Sequence, residues 1–420
     1  MSYQQNLKYP PPPRGNIFWI YPWYGMVKDI FFIIINHILY TVFKRTFLKS
    51  DELIKKLVNY FPIKNAIFLD SGRSAILVAI KTLGLKPNDE VILSDFNCDS
   101  VINSIIQAGA KPVIVDTDRY GKLTDKQVKK YITPKTKVII LTNIYGILDK
   151  HLDIQKLADS KKITLINDLS QSLQPPGINP TFFNKRNLYI FSFAHEKHLF
   201  SIGGGALVSY NKKFIHKAKT IVKTTKRTKQ LFEIVCKRIK YYFTLFVYSL
   251  NTDLAQKFSK LNLINNFKSH KDIDMTSDIE VITPTLMNNL QLAILVKKLF
   301  KQDYINKINV HNYNLLRKNI VTNKNIQTYP TSYEYVNPLY FTILIKDRYR
   351  LAKYLSMGKI PTVWNYIPLH LMPKYSKYLF GNYPNSNTLW KKVLSIPFRY
   401  PMSTENLSFV YQTINKYYED

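Results

Sequence analysis

Between about Ile67 and Tyr210 the sequence alternates short apolar runs with helix-like stretches, and this alternation restricts the possible fold more than any other feature. Runs that are typical of buried strands occupy 90–95, 111–118, 137–143, 162–168, 188–193 and 205–210. Helix-like stretches lie between them at 73–84, 98–109, 124–132 and 153–161. Strands that alternate with helices predict an α/β fold with a mostly parallel sheet, covered by helices on both faces.

The alternation stops after about Lys212, and the rest of the chain has a different pattern. A basic, aromatic, helix-like insertion covers about 212–268. A helix-like stretch at 286–300, an apolar run at 338–346 and helices at 348–357 and from 404 onward predict a smaller α+β domain. The sequence thus predicts an aromatic and apolar N-terminal extension (1–60), a large domain (61–275) and a long helix with a small C-terminal domain (276–420).

Polar residues at the ends of these strands are the candidates for chemistry, because parallel sheets bind ligands at the carboxyl ends of their strands. "SGRSA" (71–75) combines a glycine that permits a tight turn with a helix start whose amides can hold an anion, although such a start is often only a cap. Asp168 closes an apolar strand, where it is either a helix cap or a functional acid. Lys197 lies in a loop before Gly203, Gly204 and Gly205, and alone it reads as a surface charge.

The combination of these three features is more informative than any one of them. A lysine in a cleft can act as a nucleophile toward an aldehyde. An acid at a neighbouring strand end can hold a protonated pyridine nitrogen, and a helix start can hold a phosphate. Together these are the requirements of pyridoxal 5'-phosphate (PLP).

Seven segments in order resemble the DegT/DnrJ/EryC1/StrS sugar aminotransferases, which are PLP-dependent transferases of fold type I. The segments are "SGRSA", "GLKPNDEVILSDFN", "AGAKPVIVDTD", "ITPKTKVIILTNIYG", "LINDLSQS", "FSFAHEKHLFSIGGGALV" and "VLSIPF". The resemblance implies that Lys197 bonds PLP covalently and that Asp168 pairs with its pyridine nitrogen. It also implies that Gln171 lies near the ring hydroxyl and that the phosphate is held by Gly72, Arg73, Ser74 and Ser192.

Some positions depart from the family pattern. Cys98 stands where an aromatic ring usually stacks on PLP, and Phe96, two residues earlier, could replace it if both lie on one face of a strand. Pro284 and Leu286 stand where the family has an Asn–x–Arg that reaches the partner subunit's active site. Arg73 stands where a small hydroxyl residue is usual, and its guanidinium can still clamp a phosphate.

The resemblance implies amino transfer, with glutamate as donor, to a keto group of a nucleotide-linked sugar. It also implies a homodimer. Two alternatives stay open: another PLP-dependent reaction on a non-sugar substrate, and a catalytically retired scaffold at a membrane surface.

The chain carries 60 Lys and Arg against 28 Asp and Glu, a formal net charge of +32. This excess indicates an anionic partner or reflects codon bias, which does not account for the basic cluster at 212–240. Residues 17–45 and 232–255 join aromatic and apolar runs to Lys and Arg, a pattern typical of either an anionic membrane surface or internal packing. Two cysteines and no visible signal peptide predict a cytoplasmic protein, peripheral at the membrane in the first case, and no motif indicates nucleic-acid binding.

Overall fold

The structure is a computed structural model that describes residues 50–61, 63–172, 182–194, 197–223, 281–329, 335–336, 338–358, 360–396, 398–400 and 402–418, together with residues 35 and 279. Most of the two segments for which the sequence predicts membrane or internal contacts, 17–45 and 232–255, lies outside the described residues. Within the part that is described, no helix combines the length and the apolar character needed to cross a bilayer.

The described residues between 50 and 223 form a single large sheet with its helices. The strands are β1 (Ala66–Leu69), β2 (Glu90–Ser94), β3 (Lys111–Val115), β4 (Thr136–Thr142), β6 (Thr164–Asp168), β7 (Leu188–Ser192) and β8 (Gly205–Ser209), with a short β5 (Ile147–Leu148) outside the sheet. The helices are α1 (Ser50–Tyr60), α2 (Gly72–Leu83), α3 (Asp99–Gln107), α4 (Asp125–Lys129), α5 (Leu152–Lys161) and α6 (Lys212–Lys223).

The large sheet has the strand order β1-β8-β7-β6-β4-β2-β3. The strands from β3 to β7 pair in parallel, and β8 is antiparallel to both of its neighbours, β7 and β1. The carboxyl ends of β1, β2, β4, β6 and β7 therefore meet at one edge. The α/β fold and the mostly parallel sheet that the sequence predicts are confirmed.

Apolar side chains on both faces explain why the strands read as continuous apolar runs. Val91 and Leu93 pack into a core that α2 and α3 also line, whereas Ile92, between them, packs into the core under α4 and α5. All three side chains are fully buried. Since successive residues of a strand point to opposite faces, a strand covered on both sides needs apolar residues at every position.

The part after residue 281 forms a second, antiparallel sheet with order β12-β11-β9. Its elements are α7 (Asn289–Leu299), α8 (Gln302–Asn319), β9 (Ile326–Thr328), β10 (Tyr335–Val336), β11 (Phe341–Ile345), α9 (Arg348–Met357), α10 (Pro384–Lys392), β12 (Val393–Ile396) and α11 (Thr404–Lys416). The short β10 pairs with β5 of the N-terminal part. Residues 364–378 run between α9 and α10 and lie along the carboxyl edge of the large sheet.

The predicted helix at 286–300 was wrong at its start. Thr285 and Met287 bond to the backbone of β1: Asp70 N–H donates to Thr285 O at 2.9 Å, and Met287 N–H donates to Phe68 O at 3.1 Å. The helix begins only at Asn289, after Asn288 caps it in a reciprocal capping box with Gln291. Pro284 and Leu286 thus belong to an extended segment beside β1.

Candidate active site

The carboxyl edge of the large sheet brings three of the predicted site residues together. Asp168 ends β6 and Ser192 ends β7, and these two strands are parallel neighbours. Gly72 begins α2 directly after β1, and a Cβ atom built on Gly72 would lie 3.0 Å from the Ser192 Cβ atom. The helix start, the serine and the aspartate therefore border one crevice, although 120 residues separate Gly72 from Ser192 along the chain.

The N-terminus of α2 has the features of an anion site. Ser71 caps the helix: its Oγ accepts the Ser74 N–H at 3.2 Å and donates to the Ser74 Oγ at 2.9 Å. Amides of a first helical turn have no partner inside the helix, and the helix dipole places partial positive charge there. Arg73 is half-buried on this turn, and Ser74 is buried.

The glycine run after Lys197 allows β8 to pass directly beneath this helix start. Gly203 and Gly204 have φ values of 95° and 137°, which L side chains rarely adopt. A Cβ atom on Gly205 would lie only 2.5 Å from the Gly72 nitrogen and from the Ser71 carbonyl group. The run therefore sets the distance between the loop that carries Lys197 and the anion site.

Asp168 is a buried carboxyl group with a raised pKa. It is 4% exposed, and its Oδ1 accepts the Ser170 N–H at 3.0 Å. Burial raises the pKa of Asp168, and hydrogen bonds from the Ser170 side chain and backbone and the charge of Lys197 oppose that rise. A cation at this position, such as a protonated ring nitrogen, would stabilise the carboxylate.

Lys197 and Cys98 lie on two different loops at the same sheet edge, close enough for the charge of the lysine to act on the thiol. Lys197 is half-buried, and its charge acts on both Asp168 and Cys98. Burial, together with the carboxylate of Asp99, raises the pKa of the Cys98 thiol, while Ser100, whose Oγ lies 3.1 Å from the Sγ, and Lys197 oppose the rise. Cys98 is therefore a neutral, polarisable group beside the lysine.

Gln171 is held at the site by two tyrosines that sequence reasoning did not select. Its Oε1 accepts the Tyr145 N–H at 2.8 Å, so its Nε2 points the other way and donates to the Tyr366 hydroxyl oxygen. The Tyr145 hydroxyl in turn donates to the Asn365 carbonyl. Burial raises the pKa of Tyr366 well above its usual value, and nearby Cys98 and Asp168 contribute to the rise. The ring of Tyr366 is therefore a neutral phenol close to both residues.

The expectation that Phe96 and Cys98 share one face of a strand was wrong, because β2 ends at Ser94. Phe96 is fully buried and contacts Tyr366 edge-on, with ring centroids 6.3 Å apart. Cys98 instead caps α3, and Asn97 between them donates to the Thr142 Oγ1 at 2.9 Å. Phe96 therefore supports Tyr366, and Cys98 borders the crevice.

Tyr145 and Tyr366 were missed for different reasons. Tyr145 adopts a φ of 59°, and no feature of "NIYG" distinguishes it from a core aromatic. The only sequence signal for Tyr366 was the segment "WNYIPLH" (364–370). This segment resembles a family segment near the active site, but the resemblance does not indicate which of its residues contacts the site.

These residues fit the chemistry of PLP. An amino group, a buried carboxyl group with a raised pKa and a helix N-terminus border one crevice. Gly72 leaves open, beside Ser192 and Ser170, a space that a Cβ atom would fill. The amino group, the carboxyl group and the helix N-terminus therefore suit, in that order, an aldehyde, a protonated pyridine and a phosphate in one molecule.

Comparison with known proteins identifies the group to which this fold and site correspond. The model of the DegT/DnrJ/EryC1/StrS aminotransferase family matches residues 43–415. A pleiotropic regulatory protein of Geobacillus stearothermophilus is 24% identical over 383 residues, which cover 87% of this chain and 90% of that protein. A UDP-4-amino-4,6-dideoxy-N-acetyl-beta-L-altrosamine transaminase of Campylobacter jejuni is 24% identical over 371 residues, covering 87% and 89%.

A solved structure gives the same result for the fold. NtdA from Bacillus subtilis, solved with its cofactor PMP bound, superposes with a TM-score of 0.72 at 19% identity, covering 96% of this chain and 83% of that chain. Aminotransferases of the matched family depend on PLP, of which PMP is the aminated form.

We expect Gly205→Ala to weaken PLP binding about tenfold or more, because its methyl group would push the backbone of Ser71 and Gly72 away from Ser192. Fluorescence titration with PLP measures the affinity, and thermal unfolding of the apoprotein measures stability. Gly358→Ala is the matched control, since its added Cβ atom meets no backbone or side-chain atom closer than 3.4 Å. Unchanged PLP affinity in Gly205→Ala would show that this contact does not set the anion site.

Proposed function

We propose that this chain, which belongs to the DegT/DnrJ/EryC1/StrS aminotransferase family, transfers an amino group from glutamate to a keto group of a nucleotide-linked sugar. The observation that carries the proposal is the meeting of Lys197, buried Asp168 and the N-terminus of α2 at one sheet edge. The residue roles follow from the contacts already described.

In this proposal the chain holds three parts of the cofactor with three different elements. Asp168 would keep a proton on the pyridine nitrogen, and the first-turn amides of α2 would hold the phosphate with Gly72, Arg73, Ser74 and Ser192. Gln171 is fixed by Tyr145 and donates one amide hydrogen to Tyr366, and its second amide hydrogen would be directed to the ring hydroxyl. Cys98 forms part of the wall beside the ring, with Phe96 behind Tyr366. When bound, PLP supplies an electron sink that makes the Cα proton of an amino donor acidic.

Lys197 moves the proton in both half-reactions. With glutamate and the cofactor bound, the Nζ of Lys197 would accept the Cα proton as a base and return it as an acid, and in the second half-reaction it would deliver a proton to the former keto carbon of the acceptor. Half-burial of Lys197 beside neutral Cys98 limits the access of water to that amine. The lysine therefore serves as covalent anchor first and as acid and base afterwards.

Two observations support a nucleotide-linked acceptor. The Campylobacter jejuni relative is named for a UDP-linked amino sugar, and its similarity extends over 87% of this chain. The formal net charge of +32 favours substrates that carry a diphosphate. Another PLP-dependent reaction on a non-sugar ketone is the alternative that a panel of acceptors distinguishes.

We expect the purified protein to show the visible absorbance band of bound PLP. Glutamate alone should convert the bound cofactor to PMP. Borohydride should fix PLP to Lys197, as peptide mass spectrometry can verify. Lys197→Ala should abolish the conversion, with a loss of at least about a thousandfold, because both covalent attachment and proton transfer depend on that amine. Lys212→Ala, on the exposed start of α6, is the control and should behave as the unmodified protein.

An adduct on another lysine would contradict the assignment of Lys197, and bound PLP that glutamate leaves unchanged would contradict amino transfer from glutamate. A UDP- or GDP-linked keto sugar should then consume the PMP. Consumption by free keto acids alone would favour the non-sugar alternative.

We further propose that the enzyme is a homodimer. Soluble enzymes favour two-fold symmetry, and apolar side chains of high exposure lie on both sides of the extended segment beside β1: Val281 is 78% exposed, Phe300 81% and Tyr304 62%. An isologous interface would cover these side chains.

Light scattering should therefore give twice the chain mass. Phe300→Asp should shift the population toward monomer, because a charge in an apolar interface loses its hydration. Met357→Asp, at another exposed apolar residue (77%), is the control. A monomeric unmodified protein that still transfers amino groups would contradict the dimer.

We also propose a cytoplasmic enzyme that binds an anionic membrane surface through segments 17–45 and 232–255. Helix α6, which leads along the chain toward the second segment, exposes Lys212, Lys213, Lys217 and Lys219. Lysines near an anionic surface contribute about 1 kcal/mol each, a contribution that salt screens, whereas apolar insertion is insensitive to salt.

Flotation with phosphatidylserine vesicles should therefore weaken but persist as salt rises. Lys213→Glu with Lys217→Glu should reduce low-salt binding at least about fivefold. The control pair, Lys391→Glu with Lys392→Glu, lies at the end of α10 and should leave binding unchanged. Protein that stays unbound at low salt would favour internal packing of both segments.

A further inference from the structure

Asp95 is a fully buried carboxylate whose described partners come from one distant segment. It follows β2 directly and is 0% exposed. Its Oδ1 accepts the His370 backbone N–H at 2.8 Å, and its Oδ2 lies 2.7 Å from the His370 Nδ1. The Leu369 N–H also donates to the Asp95 carbonyl oxygen at 2.9 Å. The carboxylate thus fastens residues 369–370 to the end of a central strand.

Asp95 and His370 form a couple whose chemistry fixes the orientation of the imidazole ring. An ionised carboxylate only accepts hydrogen bonds, so the proton of the short contact lies on Nδ1 of His370. Burying a carboxylate is costly unless such donors compensate it. The Tyr383 ring stacks on the imidazole, with centroids 5.0 Å apart and an interplanar angle of 11°. The stacking fixes the plane of the imidazole ring, and the hydrogen bond to Asp95 fixes its rotation within that plane.

The residues on either side of the couple are those that line the candidate active site. Phe96 directly follows Asp95 in the chain, and Cys98 lies three residues after Asp95. Tyr366 precedes His370 by four residues, receives the hydrogen bond from Gln171 and contacts Phe96 edge-on. A substitution in the couple would therefore displace both Phe96 and Cys98 on one segment and Tyr366 on the other.

The neighbouring contacts along this seam are weaker. Lys374 lies 3.3 Å from Asp99, but the Asp99 side chain is 42% exposed, so water screens the pair. The Tyr375 hydroxyl donates to the Asn103 Oδ1 at 2.7 Å, a hydrogen bond between neutral groups. The Asp95–His370 contact is both buried and charge-assisted, which makes it a stronger directional link than either of these two neighbours.

We propose that His370, held by Asp95, is a positioning residue for amino transfer: the couple fixes Tyr366 against Gln171 and holds the loop that carries Phe96 and Cys98. His370 acts through these neighbours and does not touch the reacting atoms. The inference rests on the proposed function insofar as it takes Gln171 and Cys98 to border the cofactor.

Two substitutions at one position separate the hydrogen bond from the ring. His370→Asn keeps an N–H donor at about the position of Nδ1 but removes the stacked ring. His370→Phe keeps a ring against Tyr383 and leaves Asp95 without its side-chain donor. Measurements on the PLP-loaded, full-length protein are the single-turnover rate with saturating glutamate, the absorbance maximum of the bound cofactor and the thermal midpoint. Lys374→Ala, which removes the screened neighbouring ion pair, is the control.

We expect His370→Phe to slow the single turnover about tenfold or more and to shift the absorbance maximum, whereas His370→Asn stays within about threefold of the unmodified protein. In a double-mutant cycle, His370→Phe should have little further effect once Asp95 is replaced by Ala, because the two residues act as one unit. The Lys374→Ala control should keep both rate and spectrum.

Several outcomes would overturn the inference. Equal losses in His370→Asn and His370→Phe would assign the effect to ring packing, and additive effects of Asp95→Ala and His370→Phe would show independent residues. A lowered thermal midpoint with unchanged rate and spectrum would reduce the couple to a structural contact. These outcomes concern variants of an active protein, so they differ from failure of the proposed function, in which the unmodified protein does not transfer the amino group and both proposals fall.

Discussion

The close packing of β8 beneath the first turn of α2 is the contact on which the candidate site depends. Gly205 pairs with Ser192 on β7 and with Leu69 on β1, so it lies between the two strands that lead to the anion site and to the Lys197 loop. The 2.5 Å between its missing Cβ position and the Gly72 nitrogen leaves room for hydrogen alone. A glycine there lets a helix N-terminus, a serine and a lysine approach within reach of one small molecule.

Much of this arrangement could be predicted from the sequence, because it follows from local rules. Two-sided burial makes strands such as Glu90–Ser94 continuously apolar, and the residues that follow parallel strands must meet at one edge. That reasoning selects Gly72, Asp168 and Lys197, and resemblance to a family then adds Ser192 and suggests the roles of all four. The glycine run is conspicuous in the sequence, but the sequence does not indicate that the backbone of Ser71 occupies the space beside Gly205.

The parts that could not be predicted all depend on contacts between distant segments. Asp95 and His370 are 275 residues apart, and the sequence around each gives no sign of the other. Tyr366 looks like one core aromatic among many, and only its hydrogen bond from Gln171 distinguishes it. The strand boundary also mattered: an assumed extension of β2 through Phe96 put two side chains on one face, whereas the strand ends at Ser94. The alternation of apolar strands and helices can be seen in the local sequence, but which residues meet across the crevice depends on tertiary structure.

The two buried carboxylates at this edge, Asp95 and Asp168, are compensated in opposite ways. Asp95 accepts a backbone N–H and an imidazole N–H, and the protein itself satisfies it. Asp168, 4% exposed, accepts hydrogen bonds from the Ser170 backbone and side chain and feels the charge of Lys197, yet burial still raises its pKa. A buried acid with a raised pKa is further stabilised as a carboxylate by a cation, and a pyridinium nitrogen is such a cation. Asp95 therefore fixes the geometry of the edge, while Asp168 is the carboxyl group that a bound cation would stabilise.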